Sequence, residues 1–444
     1  MRIKTNITCP TAFSAFLARL SLVLPLVGLC FGSSVVLAQS GPTPPASAPA
    51  VPPPSQPAIE LPSDGDHALQ PPTGLPRETM IETPLGRAPI MQGSAFGGYG
   101  ELTLNKVEGT PGVIDLRRLV LYFGHNFSDR LRFYSEVEIE HAIASKDDEG
   151  EAEVEQAYLD GLFNRRFNLR GGLILMPVGI VNIYHEPPTF NGVDRPLVDT
   201  LVIPSTWREA GFGIFGELTD GLRYQLYVVN GFNANGFSAE RSIRDGHQEA
   251  QLARAGDWGA VLRLDFEPRL GTNFGASVYH ATSGNDLGAA VGRVPVTLLE
   301  LDARTQLRGF TARAQFAMTF IGDAAALNTE IAAREMMNAA EPAGGPVSAQ
   351  ARGGYAEVGY DLLRLFTPGV NETLTLFGRY DYVDTQASVP AGFTPHPEFR
   401  RQSLTAGLAF RPIPQIALKL DYRRHLFGTG PSLNEVASAI TWMF

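Results

Sequence analysis

The last ten residues, Glu435-Val436-Ala437-Ser438-Ala439-Ile440-Thr441-Trp442-Met443-Phe444, decide how the chain is read. Val436, Ile440, Trp442 and Phe444 share one parity, broken only by the small Ser438. Glu435, Ala437, Ala439, Thr441 and Met443 hold the other. Side chains alternate faces along a strand, so this spacing predicts a strand with one apolar face. It would serve equally as the edge of a soluble sandwich or as a stave of a barrel in lipid. The upstream sequence separates the two.

The stretch from Leu131 is the most informative. Leu131, Phe133, Val137, Ile139 and Ile143 fall on one face; Arg132, Tyr134, Glu136, Glu138 and Glu140 fall on the other. Three glutamates on one strand face would repel in a dry core and call for water on that side. One wet face and one apolar face is the pattern of a transmembrane barrel with a hydrated lumen. From Ala95 to Phe444 the alternation recurs in about sixteen segments of around ten residues, the span of a tilted strand across a bilayer. The phase near Glu153 and Glu155 is not readable. Tight turns such as Ser128-Asp129-Arg130, Thr219-Asp220-Gly221 and Arg308-Gly309 alternate with longer polar stretches, among them 321–350, read as a loop. An open sheet edge in lipid would leave backbone groups unpaired, so the sheet must close.

The fold predicted is all-β, a transmembrane antiparallel β-barrel of about sixteen strands over residues 92–444. Tyr422, Trp442 and Phe444 sit where interface aromatics belong. Arg118, Arg132, Arg170, Arg263, Arg304, Arg313, Arg379, Arg401, Lys419 and Arg423 take the water-facing parity. Many lie on late strands, read as standing across the ring from the glutamates. Opposed basic and acidic walls would set up a transverse field.

Composition agrees. Of 444 residues, 44% are hydrophobic and 18% charged, with a mean hydropathy of −0.03, unlike a helical membrane protein. The long apolar run Leu20–Ala38 follows Arg2, Lys4 and Arg19 and ends on Val36-Leu37-Ala38. It reads as a secretory signal peptide, residues 1–38, with an amino-terminal anchor as the rival. Its removal lowers Lys plus Arg from 36 to 33 against 46 Asp plus Glu, a formal charge of −13, which argues against nucleic acid as a partner. Cys9 and Cys30 go with it, leaving neither disulfide nor thiolate ligand. Residues 39–91, rich in Pro, Ala and Ser, read as a disordered periplasmic linker: a spacer, or a tether touching cell wall or a partner.

Phe444 behind Trp442 gives the chain a resemblance to bacterial outer-membrane porins. The segments 124–141 (GHNFSDRLRFYSEVEIEH), 185–196 (HEPPTFNGVDRP) and 203–211 (IPSTWREAG) resemble the phosphate- and pyrophosphate-selective porin O and P family. That resemblance implies a homotrimeric, sixteen-stranded channel in the outer membrane of a Gram-negative bacterium. It also implies an inward-folded constriction loop between the fifth and sixth strands, here Pro177–Gly211. This loop carries Arg195 and Arg208 against Glu186, Asp194, Asp199 and Glu209. Phosphate choice in the family relies on clustered Arg and Lys, whereas Glu136, Glu138 and Glu140 supply an acidic strand here. The expected function is passive diffusion of small polar or ionic solutes, phosphate and other anions among them, without strong anion choice. The expected partners are outer-membrane lipid and small hydrophilic solutes.

Two other classes fit parts of the sequence: a tether working through the Pro-rich arm, and a barrel-embedded hydrolase. For the latter, His125, His141, His185, His280 and His425 are scattered and no G-x-S-x-G elbow occurs, so no enzyme is expected. His141 near Glu140, and His185 beside Glu186, each offer two metal ligands, too few for a site, so neither metal nor cofactor is expected. Arg241, Arg244 and His247 read as a solvated loop face.

Overall fold

The computed structural model describes residues 93–444 apart from 146–149, 285–286, 288–290, 339–343 and 368, and also Met80–Thr83 and Gly86–Pro89. The signal peptide and most of the linker lie outside the described residues. Within the expected linker, Met80–Thr83 pairs antiparallel with Gly86–Pro89.

Sixteen strands close into one barrel. They are β1 (Gly93–Val107), β2 (Val113–Ser128), β3 (Leu131–Glu140), β4 (Ala152–Leu162), β5 (Asn168–Leu175), β6 (Arg208–Thr219), β7 (Leu222–Asn230) and β8 (Trp258–Arg269). There follow β9 (Thr272–Thr282), β10 (Pro295–Leu307), β11 (Phe310–Ile321), β12 (Gln350–Asp361), β13 (Thr373–Ser388), β14 (Arg400–Ile413), β15 (Ile416–Phe427) and β16 (Leu433–Met443). Each pairs antiparallel with its chain neighbours. The ring closes where β16 runs against β1, from Glu435 opposite Val107 to Met443 opposite Tyr99. Gly98 and Phe444 then exchange both backbone hydrogen bonds, at 3.0 and 2.9 Å.

The period-2 pattern sorts the two faces. Leu301, Leu376 and Ile440 are 63%, 50% and 49% exposed on the outside. Their inward neighbours Glu300, Asp302, Thr375, Ala439 and Thr441 are buried. Aliphatic side chains this exposed around a whole ring are what a barrel presents to acyl chains.

Among the register shifts in the barrel, two β-bulges bear on the loop and its surroundings. In β2, Arg118 pairs with Glu101 and Leu116 with Leu102, leaving Arg117 as the extra residue. In β4, Gln156 pairs with Glu136 and Val154 with Val137, leaving Glu155 extra, which explains the unreadable phase there. A bulge shifts parity by one and re-aims side chains. Glu155 and Gln156 are accordingly both buried.

Other expectations need correction. β3 ends at Glu140, because His141 and Ala142 take left-handed φ of 54° and 62°; Ile143 therefore lies beyond the strand. The stretch 321–350 holds a helix, α1 (Ala324–Asn338), Ala-rich and suited to it. Its buried Asn328 exchanges two hydrogen bonds with the backbone of Val347, at 2.9 and 2.8 Å. Only some of the late strands face β3 across the ring: β10 and β11 lie seven and eight strands away. Closure through β16 and β1 puts β15 only four strands from β3.

Candidate functional site

The segment between β5 and β6 runs inside the barrel. Met176, Val178, Val198, Val202, Ile203 and Trp207 are all fully buried in it. Trp207 stacks on Phe232 at 5.1 Å and meets Tyr279 edge-on at 4.7 Å, fixing the end of the loop against the wall. β6 begins at Arg208, so Arg208 and Glu209 belong to the wall and not to the loop.

A run of prolines cannot form a ladder of its own, so its backbone groups need outside partners. The far wall supplies them. Gln315 on β11 accepts from the Ile180 amide at 2.8 Å; Asp381 on β13 accepts from the Leu197 amide at 3.1 Å. Asp421 on β15 accepts from the Val193 amide at 2.7 Å. Lys419 donates to the carbonyls of Pro187 (2.6 Å) and Gly192 (2.8 Å), and lies 4.0 Å from the centre of the Phe190 ring. Arg411 donates to the Pro188 and Phe190 carbonyls, and Arg379 to that of Asp194 at 3.1 Å. At Gly192 the approach is so close that a Cβ would stand 2.9 Å from Arg379 Nη1.

The loop leaves a cavity of about 330 Å³ between its tip and the wall of β1, β2 and β13–β16. Six arginines line it, Arg117, Arg118, Arg195, Arg244, Arg379 and Arg423, against the four carboxylates Glu101, Asp194, Asp381 and Glu435. Asp194 bridges Arg117 and Arg423. Arg423 also meets Asp421 at 2.8 Å, and Arg379 meets Asp381 at 2.8 Å. Arg118 lies 3.0 Å from Glu101 and 3.4 Å from Glu138. Two arginines have no carboxylate within ion-pair distance among the described residues. Arg195 donates to Thr206 Oγ1 and keeps Nη2 without a partner. Arg244 donates to the carbonyls of Thr200 and Ser205. Burial, then repulsion from Arg241 and Arg195, lowers the Arg244 guanidinium to about 10, still charged at neutral pH.

The remaining residues singled out in the sequence are dispersed. Arg170 pairs with Asp160 at 2.8 Å and lies over the Tyr158 ring; Arg208 pairs with Glu153. Arg313 meets Glu357 at 3.4 Å, and Arg401 meets Glu240 at 2.9 Å. Arg132 on β3 is half-buried and does not line the cavity. Glu136 and Glu138, expected on open water, are each only 2% exposed, because the loop packs over them; Glu186 is buried with them, and Glu140 is half-buried. Their repulsion is met by Arg118 and by hydrogen bonds to Glu136 from Tyr134 (2.5 Å) and Gln156 (2.8 Å).

Sequence reasoning missed Arg117 and misplaced Arg244. The bulge turns Arg117 inward beside Arg118, and parity alone cannot show that. The sequence places Arg244 on a solvated loop face, whereas its loop folds back over the constriction. His425, read as a rim residue, lines the cavity and bonds Glu435 at 2.9 Å.

A closed sixteen-stranded barrel narrowed by the loop after its fifth strand is the fold of the outer-membrane porins. OmpF of Salmonella typhi, in complex with daunomycin, is similar over 79% of this chain and 97% of its own, at 11% identity and a TM-score of 0.53. The outer membrane channel DcaP of Acinetobacter baumannii matches over 79% and 97%, at 13% identity and a TM-score of 0.50. An anion-selective porin from Comamonas acidovorans matches over 79% and 99%, at 10% identity and a TM-score of 0.50. No protein-family model matches the chain. The chain belongs to the same family as an uncharacterized protein of Aquifex aeolicus (strain VF5), 37% identical over 360 residues, 80% of this chain and 81% of that one.

Proposed function

We propose that the protein is an outer-membrane diffusion channel for small hydrophilic solutes that favours anions at its constriction. The observation that carries this reading is the arginine excess around the cavity at the loop tip, with Arg195 and Arg244 free of carboxylate partners. Fixed charge along a narrow path repels like ions and offsets the lost hydration of the opposite kind. This departs from the weak anion choice expected from the sequence, because Glu136 and Glu138 are buried under the loop and do not line the gap. Phosphate and related oxyanions fit such a guanidinium cluster, since planar forks bind them at two points, and the porin O and P resemblance points the same way. The reading takes the protein as a channel without catalytic activity, exported by its amino-terminal signal and assembled as a trimer in the outer membrane. Reversal potentials of single channels in a KCl gradient test it. Chloride is expected to outrun potassium, with phosphate lowering the chloride current; a cation-selective channel, or none, would refute it.

A further inference from the structure

On the opposite flank of the loop from the arginine-walled cavity, His185 enters a ring of carboxylates. It is 1% exposed. Its Nε2 lies 3.5 Å from Glu155 Oε2 and 4.0 Å from Glu136 Oε2, too far for good hydrogen bonds. Neither ring nitrogen has a hydrogen-bond partner, nor has Glu155 Oε1. One donor atom from each of Glu136, Glu155 and His185 lies within 4.8 Å of the others. Ligands on one ion at metal distances of about 2.0–2.2 Å stand roughly 3–3.6 Å apart, so a small contraction would complete the set.

The surroundings suit a cation. Tyr99 donates to Glu155 Oε2 at 3.0 Å, and Tyr134 and Gln156 hold Glu136. Outer hydrogen bonds of this kind orient carboxylate ligands. Glu138 and Glu186 are buried nearby, and Arg118 already serves both Glu101 and Glu138. Buried negative charge without a counterion is costly. The sequence offered only His185 and Glu186 side by side. The bulge in β4 adds Glu155, and the inward fold of the loop brings His185 to it.

We propose that Glu136, Glu155 and His185 form a buried site for a divalent metal ion of the zinc or manganese class, clamping the constriction loop to β3 and β4. One imidazole and two carboxylates suit these ions better than calcium or magnesium, which take oxygen donors alone. The competing account is a protonated His185 supplying the charge with no metal.

The test uses the full-length, untagged protein in detergent, stripped with chelator and dialysed. Zn²⁺ titration with elemental analysis should show one tight equivalent per chain. Affinity should fall at least tenfold in Glu155→Gln and in His185→Gln, and hold in His280→Asn. Co²⁺ added to the unmutated protein should give a visible absorption band that Zn²⁺ abolishes, a readout independent of whether the variants fold. Absence of both the band and stoichiometric Zn²⁺ would leave the protonated histidine as the answer. Equal Zn²⁺ affinity in both variants, each still barrel-folded by its heat-modifiable gel mobility, would also overturn the site.

Discussion

The constriction loop has two flanks, and they solve opposite electrostatic problems. At its tip, Asp194 and Arg195 face a cavity where cationic side chains outnumber anionic ones. At Tyr184-His185-Glu186, carboxylates of β3, β4 and the loop crowd together with little positive charge. The tip keeps open volume and leaves guanidinium groups unpaired. The other flank is sealed, and its carboxylates are held by short donors from Tyr99, Tyr134 and Gln156. Charge facing a passage is thereby separated from charge that holds the loop. A count of acidic and basic residues along the strands blends the two.

Arg118 joins the flanks, so removing it should hurt most. Arg118→Ala leaves Glu101 and Glu138 buried without their cation and should cost about 3–5 kcal/mol. Urea unfolding in detergent would report it. A cost below about 1 kcal/mol, typical of exposed pairs, would mean the flank is wet and the contrast false. Next comes the boundary between lumen and lipid. Leu301→Arg, near the middle of β10 on the outer face, should cost about 2–4 kcal/mol in the same assay. Smaller effects belong to the tip. Arg195→Ala and Arg244→Ala should each lower the chloride-to-potassium permeability ratio about sixfold at low salt, because a unit charge roughly 8 Å from a passing ion at water-like dielectric shifts the two ions by about 0.5 kcal/mol each, in opposite directions. Unchanged ratios would move the selecting charge elsewhere. The gentlest test leaves the protein intact. Raising KCl from about 0.1 to 1 M shortens the screening length from about 10 to 3 Å, so the ratio should drift toward unity.

The strands were legible because period-2 alternation survives wherever pairing is regular. β15 shows it cleanly, with Lys419, Asp421 and Arg423 buried inside and Tyr422 exposed outside. The strand count and the closing edge followed from the same rule. Legibility failed at the bulges, where one extra residue turned Arg117 and Glu155 into the lumen. Both are residues that matter to the two flanks. It failed again where contact depends on the path of a loop, as at Arg244, whose partners lie about forty residues away in the chain. No local pattern encodes that distance. The helix α1 is hidden for a simpler reason: its mix of Ala, Asn and Glu has the composition of a loop as much as of a helix.

The wall grips the loop mainly by its main chain. Gln315, Asp381, Lys419, Arg411 and Asp421 reach amides and carbonyls, groups that nearly every amino acid carries. The loop can therefore exchange side chains at its tip and keep its path, provided Ile180, Val193 and Leu197 are not replaced by proline. A scaffold held this way is open to retuning: descendants could alter what they admit by swapping a few residues, while the architecture that positions them stays put.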